Sequence, residues 1–240
     1  MLMRRAIFTC AGALIVLIVA TVAGWWFFVR EDNELATNPP DIPDELVQPT
    51  ESAPTASAGN DVLTFRIVPA QSEAAYFVDE ELASIGLPST AKGTTQEVEG
   101  EFHLTPDGTA LAPNAGSSFT VDLRNLASDE SRRDGRVQEA LETATYPTAA
   151  FAITSVTGYD PGIAEGEEQT LMLTGTLDLH GIQKDVTWEV KARRESNVIS
   201  ALATLVVPFA DFNITAPTFA GLVSIDDQAT LQVQLVAELV

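Results

Sequence analysis

The 240-residue chain has one cysteine, two histidines and thirteen basic residues. A single cysteine excludes an intramolecular disulfide, so whatever folds must be held by its own core. Cys10 stands near the start of an apolar run, not at its end where a lipid-modified cysteine would lie, and reads as a small buried residue. His103 and His180 fall in different segments with no metal-ligand spacing between them. No G-x-S-x-G elbow, phosphate loop, dinucleotide fingerprint or C-x-x-C pair occurs. The expectation is a protein that is not an enzyme and holds no metal. The scarcity of bases is set against 34 acids, for a net charge of −21. Arg4, Arg5 and Arg30 belong to the first thirty residues, which hold no acid, so the remaining ten bases leave −24 on the rest of the chain. A field of that sign repels phosphates and anionic headgroups, which excludes nucleic acid and docking on a membrane through a basic face. The acids are scattered, as in a solubilising or salt-adapted surface, rather than clustered for one basic partner.

Long apolar runs are also scarce, with one exception. Ala6 to Val29 reads AIFTCAGALIVLIVATVAGWWFFV and carries no charge. About 20 such residues span a bilayer core as a helix. Arginines precede the run and acids follow it at Glu31, Asp32 and Glu34, which predicts a single-pass cell-membrane anchor with its N-terminus inside and the rest of the chain on the extracytoplasmic side. A cleaved signal peptide is the competing reading. It has a shorter apolar region and small residues at the cleavage site, where this chain has Trp25, Trp26, Phe27 and Phe28. Residues 31–60 are rich in Pro, Ala, Ser, Thr and acid without a sustained apolar period, and read as a disordered linker. The expected organisation is therefore an anchor at 1–30, a linker at 31–60 and one domain at 61–240.

From Val62 onward the apolar residues recur with period two. Leu63, Phe65 and Ile67 alternate with polar neighbours, and so do Val98 to Leu104, Phe119 to Leu123, Leu171 to Leu179, Val186 to Ala192 and Leu231 to Ala237. Such alternation predicts antiparallel strands with one wet face. His180-Gly181 joins two of these runs closely enough to require a hairpin. One stretch, Arg132 to Glu142, reads as a helix, with Val137, Ala140 and Leu141 on one face, Ser131 or Asp129 as cap and Pro147 beyond its end. The fold class expected is all-β, an antiparallel eight-stranded β-barrel with one short helix, preceded by the transmembrane helix; a sandwich is the other architecture open to this pattern. A barrel of that size is either filled by its own side chains or holds one small or slender ligand. The candidates for its inner face are Phe65, Tyr76, Phe102, Phe119, Phe151, Leu173, Leu177 and Trp188. Periodicity leaves both a dry core and a lipid cavity open.

Three segments in order resemble the YceI-like family of exported, lipocalin-like polyisoprenoid-binding proteins. The first is AKGTTQEVEGEFHL, Ala91 to Leu104. The second, Ser131 to Phe151, has Arg133-Asp134, a short helix, Tyr146-Pro147 and then Phe151. The third, Leu173 to Val190, carries the G-x-L-x-x-H-G pattern as Gly175, Leu177, His180 and Gly181. The resemblance implies a barrel around a long apolar channel for an isoprenoid chain such as a quinone tail or polyprenyl lipid, and two-fold pairing of barrels into a homodimer. On the residues themselves, Gly181 supplies the backbone freedom of a tight turn, Arg133 and Asp134 anchor the helix over a barrel end, and Pro147 fixes the entry to the next strand. His180 reads as structural. Val68-Pro69-Ala70-Gln71-Ser72 departs from the family's Asp-x-x-His-Ser turn, keeping only Ser72. The function expected is a membrane-tethered extracytoplasmic binding protein for an isoprenoid lipid, serving transport, storage or stress protection. The alternative is a non-catalytic cell-envelope interaction module with a dry core and an anionic surface.

Overall fold

The alternating segments pair as antiparallel strands, because each exposes a row of backbone donors and acceptors that only a neighbouring strand or water can satisfy. In the computed structural model, residues 33–47, 62–82, 87–217 and 223–240 are described. The chain divides into two compact units, Met1–Glu34 and Leu35–Val240. The anchor expected over 1–30 lies outside the described residues. No helix among those described is long and apolar enough to cross a membrane.

The strands of the second unit are β1 (Leu63–Ile67), β2 (Glu73–Leu82), β3 (Leu87–Thr95), β4 (Val98–Leu104), β5 (Ser118–Asp122), β6 (Thr148–Thr157), β7 (Gln169–Leu179), β8 (Ile182–Glu195), β9 (Val198–Pro208), β10 (Val223–Ile225) and β11 (Gln228–Leu239). Their hydrogen-bonded order runs β1-β4-β5-β6-β7-β8-β9-β11, and β11 pairs back with β1 through Phe65↔Leu239. Closure removes the sheet edges along this path. The result is the expected eight-stranded antiparallel barrel rather than a sandwich. β2 continues the wall position of β1 after a one-turn 3-10 break at Pro69–Gln71 and pairs with β11, β3 and β10. Pro69 has no N–H for the ladder. Ser72 bridges the break: its hydroxyl donates to the Val68 carbonyl at 2.9 Å and accepts from the Val236 N–H at 3.2 Å.

The β7–β8 hairpin turns on His180 and Gly181, at φ +54° and +70°. Two consecutive left-handed residues match the right-handed twist of the flanking strands. Gly175 sits where β6 bulges between Ile153 and Ser155; a Cβ there would lie 2.1 Å from the Ala152 carbonyl oxygen. The sequence-predicted helix is present as α2 (Ser131–Ala140), after a single turn α1 at Asp44–Val47 that the sequence reading lacked. Neither expected cap serves α2: Glu130 is the N-cap, its carboxylate accepting from the Arg132 N–H at 3.1 Å.

Part of the segment read as a linker is seated on the barrel. Residues 36–41 lie on the outer wall of β8, β9 and β11. The Gln232 amide exchanges two hydrogen bonds with the Ala36 backbone, at 2.9 and 3.0 Å. Ser200 Oγ and an Arg193 amine both donate to the Pro40 carbonyl, at 2.5 and 3.0 Å, and Lys191 Nζ donates to Thr37 O at 2.7 Å. Ser200 and Gln232 are buried as a result. Composition missed this strap because it is bound chiefly through its backbone, which every sequence possesses. Residues 48–61 lie outside the described residues.

Candidate functional site

The inner faces of the strands converge on an aromatic cluster. Phe119 from β5 lies 5.3 Å from Phe151 on β6 and 6.4 Å from Trp188 on β8, and Phe151 lies 6.0 Å from Trp188. All three are buried. They form a partition across the lumen. On one side is a cavity of about 160 Å³ beneath α2; on the other, a larger chamber of about 900 Å³ opens among the loops near Thr109, Pro161 and Arg194. Phe119 lines both.

The smaller cavity is almost wholly apolar. The polar side chains among its lining residues are Tyr76, Glu80, Arg133, Trp188 and Gln232. Gln232 turns its amide outward to Ala36. The apolar stripe of α2, namely Val137, Ala140 and Leu141, roofs the space, and none of the ten helix residues is fully buried. An apolar cavity of about this size stays dry and takes a benzene-sized group. The roof is tethered by charge: Arg133 lies 3.7 Å from Glu80 on β2 and contacts Asp129, while Asp134 accepts from Ser128 N–H and Oγ–H at 2.8 and 2.6 Å. Of the two expected anchors, Arg133 reaches a barrel strand, whereas Asp134 bonds to Ser128 in the loop that leads into the helix. Burial pushes the Tyr76 phenol up to about 12, with Arg133 acting in the opposite direction. Burial also raises Glu80, against the pull of Arg133.

The eight inner-face candidates divide. Tyr76, Phe119, Phe151, Leu177 and Trp188 line the cavity beneath the helix. Phe102 and Leu173 line the larger chamber instead, together with Phe119. Phe65 lines neither: it is fully buried, stacked on its cross-strand partner Phe102 at 5.2 Å, with the Arg194 guanidinium over its ring. Single-sequence periodicity assigns a face but not a height along the barrel, which is why it merged three environments into one. Glu80 and Gln232 were missed because each falls among polar residues of its strand.

The remaining motif residues meet at the helix end of the barrel. Tyr146 packs edge-on against His180 with centroids 5.0 Å apart, and a Cβ on Gly181 would lie 2.5 Å from the Tyr146 ring. His180 is buried, its Nδ1 donating to the Phe212 carbonyl at 2.9 Å, and its Nε2 lies 3.8 Å from Glu142. Pro147 precedes β6 and its carbonyl accepts from Leu123 N–H at 2.8 Å. The motifs are therefore one contact set that ties the β7–β8 turn to the segment following α2. Among the described residues no three His, Cys, Asp or Glu side chains are grouped to hold a metal.

The closed antiparallel barrel, with an apolar cavity under a helix, is one that can be filled by its own side chains or hold one small ligand. The YceI-like domain model matches residues 65–237, and the chain belongs to the YceI-like family. A UPF0312 protein of Pseudomonas putida strain W619 is 31% identical over 151 residues, covering 59% of this chain and 72% of its own. Among solved structures, a polyisoprenoid binding domain from Saccharophagus degradans implicated in plant cell wall breakdown superposes with a TM-score of 0.56 at 20% identity, covering 74% of this chain and 99% of that one. Burkholderia cenocepacia BcnA superposes at 0.52 with 18% identity, covering 71% and 98%. At these identities the superpositions establish the fold.

Proposed function

We propose that this protein is a non-catalytic lipid-binding protein that holds an isoprenoid-type chain in its barrel, tethered to the membrane by its N-terminal segment with the barrel on the extracytoplasmic side. The observation that carries it is the apolar cavity roofed by α2. Val137 and Leu141 pack against the barrel core and yet, with Ala140, also border open space, which a fully packed core would not leave. The space of about 160 Å³ admits one or two isoprene units. Burial contributes about 0.8 kcal/mol per CH₂, so affinity grows with each unit that enters. The family membership supports lipid as the ligand class. The tether is supported by the sequence of residues 6–29.

Titrating the full chain with a short-tailed quinone tests the reading. Trp188 lines the cavity, so bound quinone quenches its fluorescence in a saturable way, and Trp188→Phe removes that component without unfolding the barrel. Quenching that never saturates, or that survives Trp188→Phe unchanged, rejects the assignment.

The second reading is an envelope interaction module with a filled core and anionic surface. The aromatic partition of Phe119, Phe151 and Trp188 favours it, since these rings already occupy the centre of the lumen. It predicts no uptake of any chain lipid and salt-sensitive binding of a basic partner.

A further inference from the structure

We propose that the mouth of the cavity under α2 selects an uncharged chain ligand bearing an acceptor oxygen, a quinone or a prenyl alcohol, and rejects prenyl phosphates. This rests on the carrier reading above and names the head that the reading leaves open.

Of the polar lining residues, Tyr76, Glu80 and Arg133 are only half-buried and so mark the mouth, and their charges do not favour an anion. Arg133 is the sole base among the cavity-lining residues. It is already engaged, by Glu80 at 3.7 Å and by Asp129. Asp134 adds a third carboxylate beside it, and all of these act on the Tyr76 phenol. Three carboxylates against one guanidinium leave the mouth net negative. Glu80 is only 11% exposed and Arg133 20%, so water screens that pair poorly. A phosphate entering here brings further negative charge. It can recruit Arg133 only by stripping Glu80 of its partner, which leaves a buried carboxylate unpaired. The other bases nearby are committed elsewhere or exposed: Lys92 faces Glu73 and the Phe77 ring, Arg124 pairs with Asp122, Arg136 pairs with Glu139, and Arg132 is exposed. The charge of the whole domain opposes an anion as well.

What the mouth does offer is a neutral donor. The Tyr76 hydroxyl makes no hydrogen bond to any described residue, and it stays protonated because burial opposes its ionisation. A quinone carbonyl or an alcohol oxygen is the acceptor that would satisfy it, with the prenyl chain running into the apolar space behind. A bare hydrocarbon would leave the phenol unpartnered on ligand entry.

The test compares farnesol with farnesyl monophosphate, two probes with the same chain and different heads, on the full chain in detergent micelles by equilibrium dialysis and mass spectrometry. Farnesol is expected to bind at least about tenfold more tightly, the equivalent of about 1.4 kcal/mol. Tyr76→Phe should weaken farnesol about three- to tenfold, as loss of one hydrogen bond does, and leave the phosphate unaffected. Glu80→Gln with Asp129→Asn should narrow the gap by raising phosphate affinity. If that pair fails to fold, Asp129→Asn alone, at a half-exposed position, should narrow it in part. Ratios between wild type and variant cancel partition into micelles. Phosphate binding as tight as the alcohol, or a ratio that none of the variants moves, overturns the selectivity while leaving the carrier reading standing. Binding of neither probe, nor of a quinone, overturns the carrier reading itself.

Discussion

Replacing Phe119 by alanine separates the two jobs of the aromatic partition. The ring is 8% exposed, packs against Phe151 and Trp188, and is the side chain shared by both internal chambers. Truncating a buried phenylalanine costs about 3–5 kcal/mol. The lower end applies here, because the ring already borders empty space on two sides and loses fewer contacts than one in a filled core. Against a typical domain stability of about 5–15 kcal/mol, the variant stays folded but is visibly weakened. At a urea slope of about 1–3 kcal/mol per molar, a loss of about 3 kcal/mol moves the unfolding midpoint down by roughly 1–3 M. The same substitution joins the cavity of about 160 Å³ to the chamber of about 900 Å³. Chain-length preference should therefore shift: in a series of prenols, wild type should stop gaining affinity after the first few isoprene units, while Phe119→Ala keeps gaining. Urea denaturation followed by circular dichroism, and ligand retention across the series, read both effects. A midpoint that does not move, together with an unchanged length profile, refutes the partition.

Other consequences are open to measurement. Gly175→Ala should cost about 2 kcal/mol or more, because its Cβ meets the Ala152 carbonyl and the Phe151 ring; thermal unfolding reports it. Gly181→Ala should be destabilising through both its φ of +70° and its clash with Tyr146, and Tyr146→Ala in the same chain should relieve the second part, which a double-mutant cycle would separate. Deleting residues 35–41 removes six strap hydrogen bonds and should cost about 2–5 kcal/mol, read as a lowered melting temperature. Tyr76 should make stability fall in alkali: its phenol ionises near 10 when unfolded and near 12 when folded, so the folded state holds the proton more tightly. Its contribution is complete below pH 10 and lost as the pH rises towards 12, and Tyr76→Phe should flatten that decline.

Period two in the sequence was enough for the strands, because a half-buried strand must alternate and a register slip would turn every apolar residue outward; their closure into a barrel rather than a sandwich is settled by the pairing of β11 with β1. The helix was legible for the same reason at its own period, and the hairpin from the close spacing of two alternating runs around Gly181. Three things were not. Height along the barrel has no sequence signature, so Phe65, Phe102 and Leu173 were grouped with residues that line a different cavity. The polar mouth is assembled across β2 and α2, more than fifty positions apart, and the pairing of Arg133 with Glu80 follows from topology rather than from spacing. The strap over Ser200 and Gln232 is made by backbone groups of a segment whose composition resembles a disordered one, and Pro39 and Pro40 suit an extended chain whose carbonyls there serve as acceptors.

The central claim is that the lumen carries a chain lipid. Native mass spectrometry of the gently purified full chain, with lipid extraction of the same sample, tests it most directly. The account predicts one apolar chain compound per barrel, uncharged at its head, released on unfolding. A barrel that is empty as isolated, stable when stripped, and indifferent to added quinones and prenols would contradict it and make the partition the centre of a filled core.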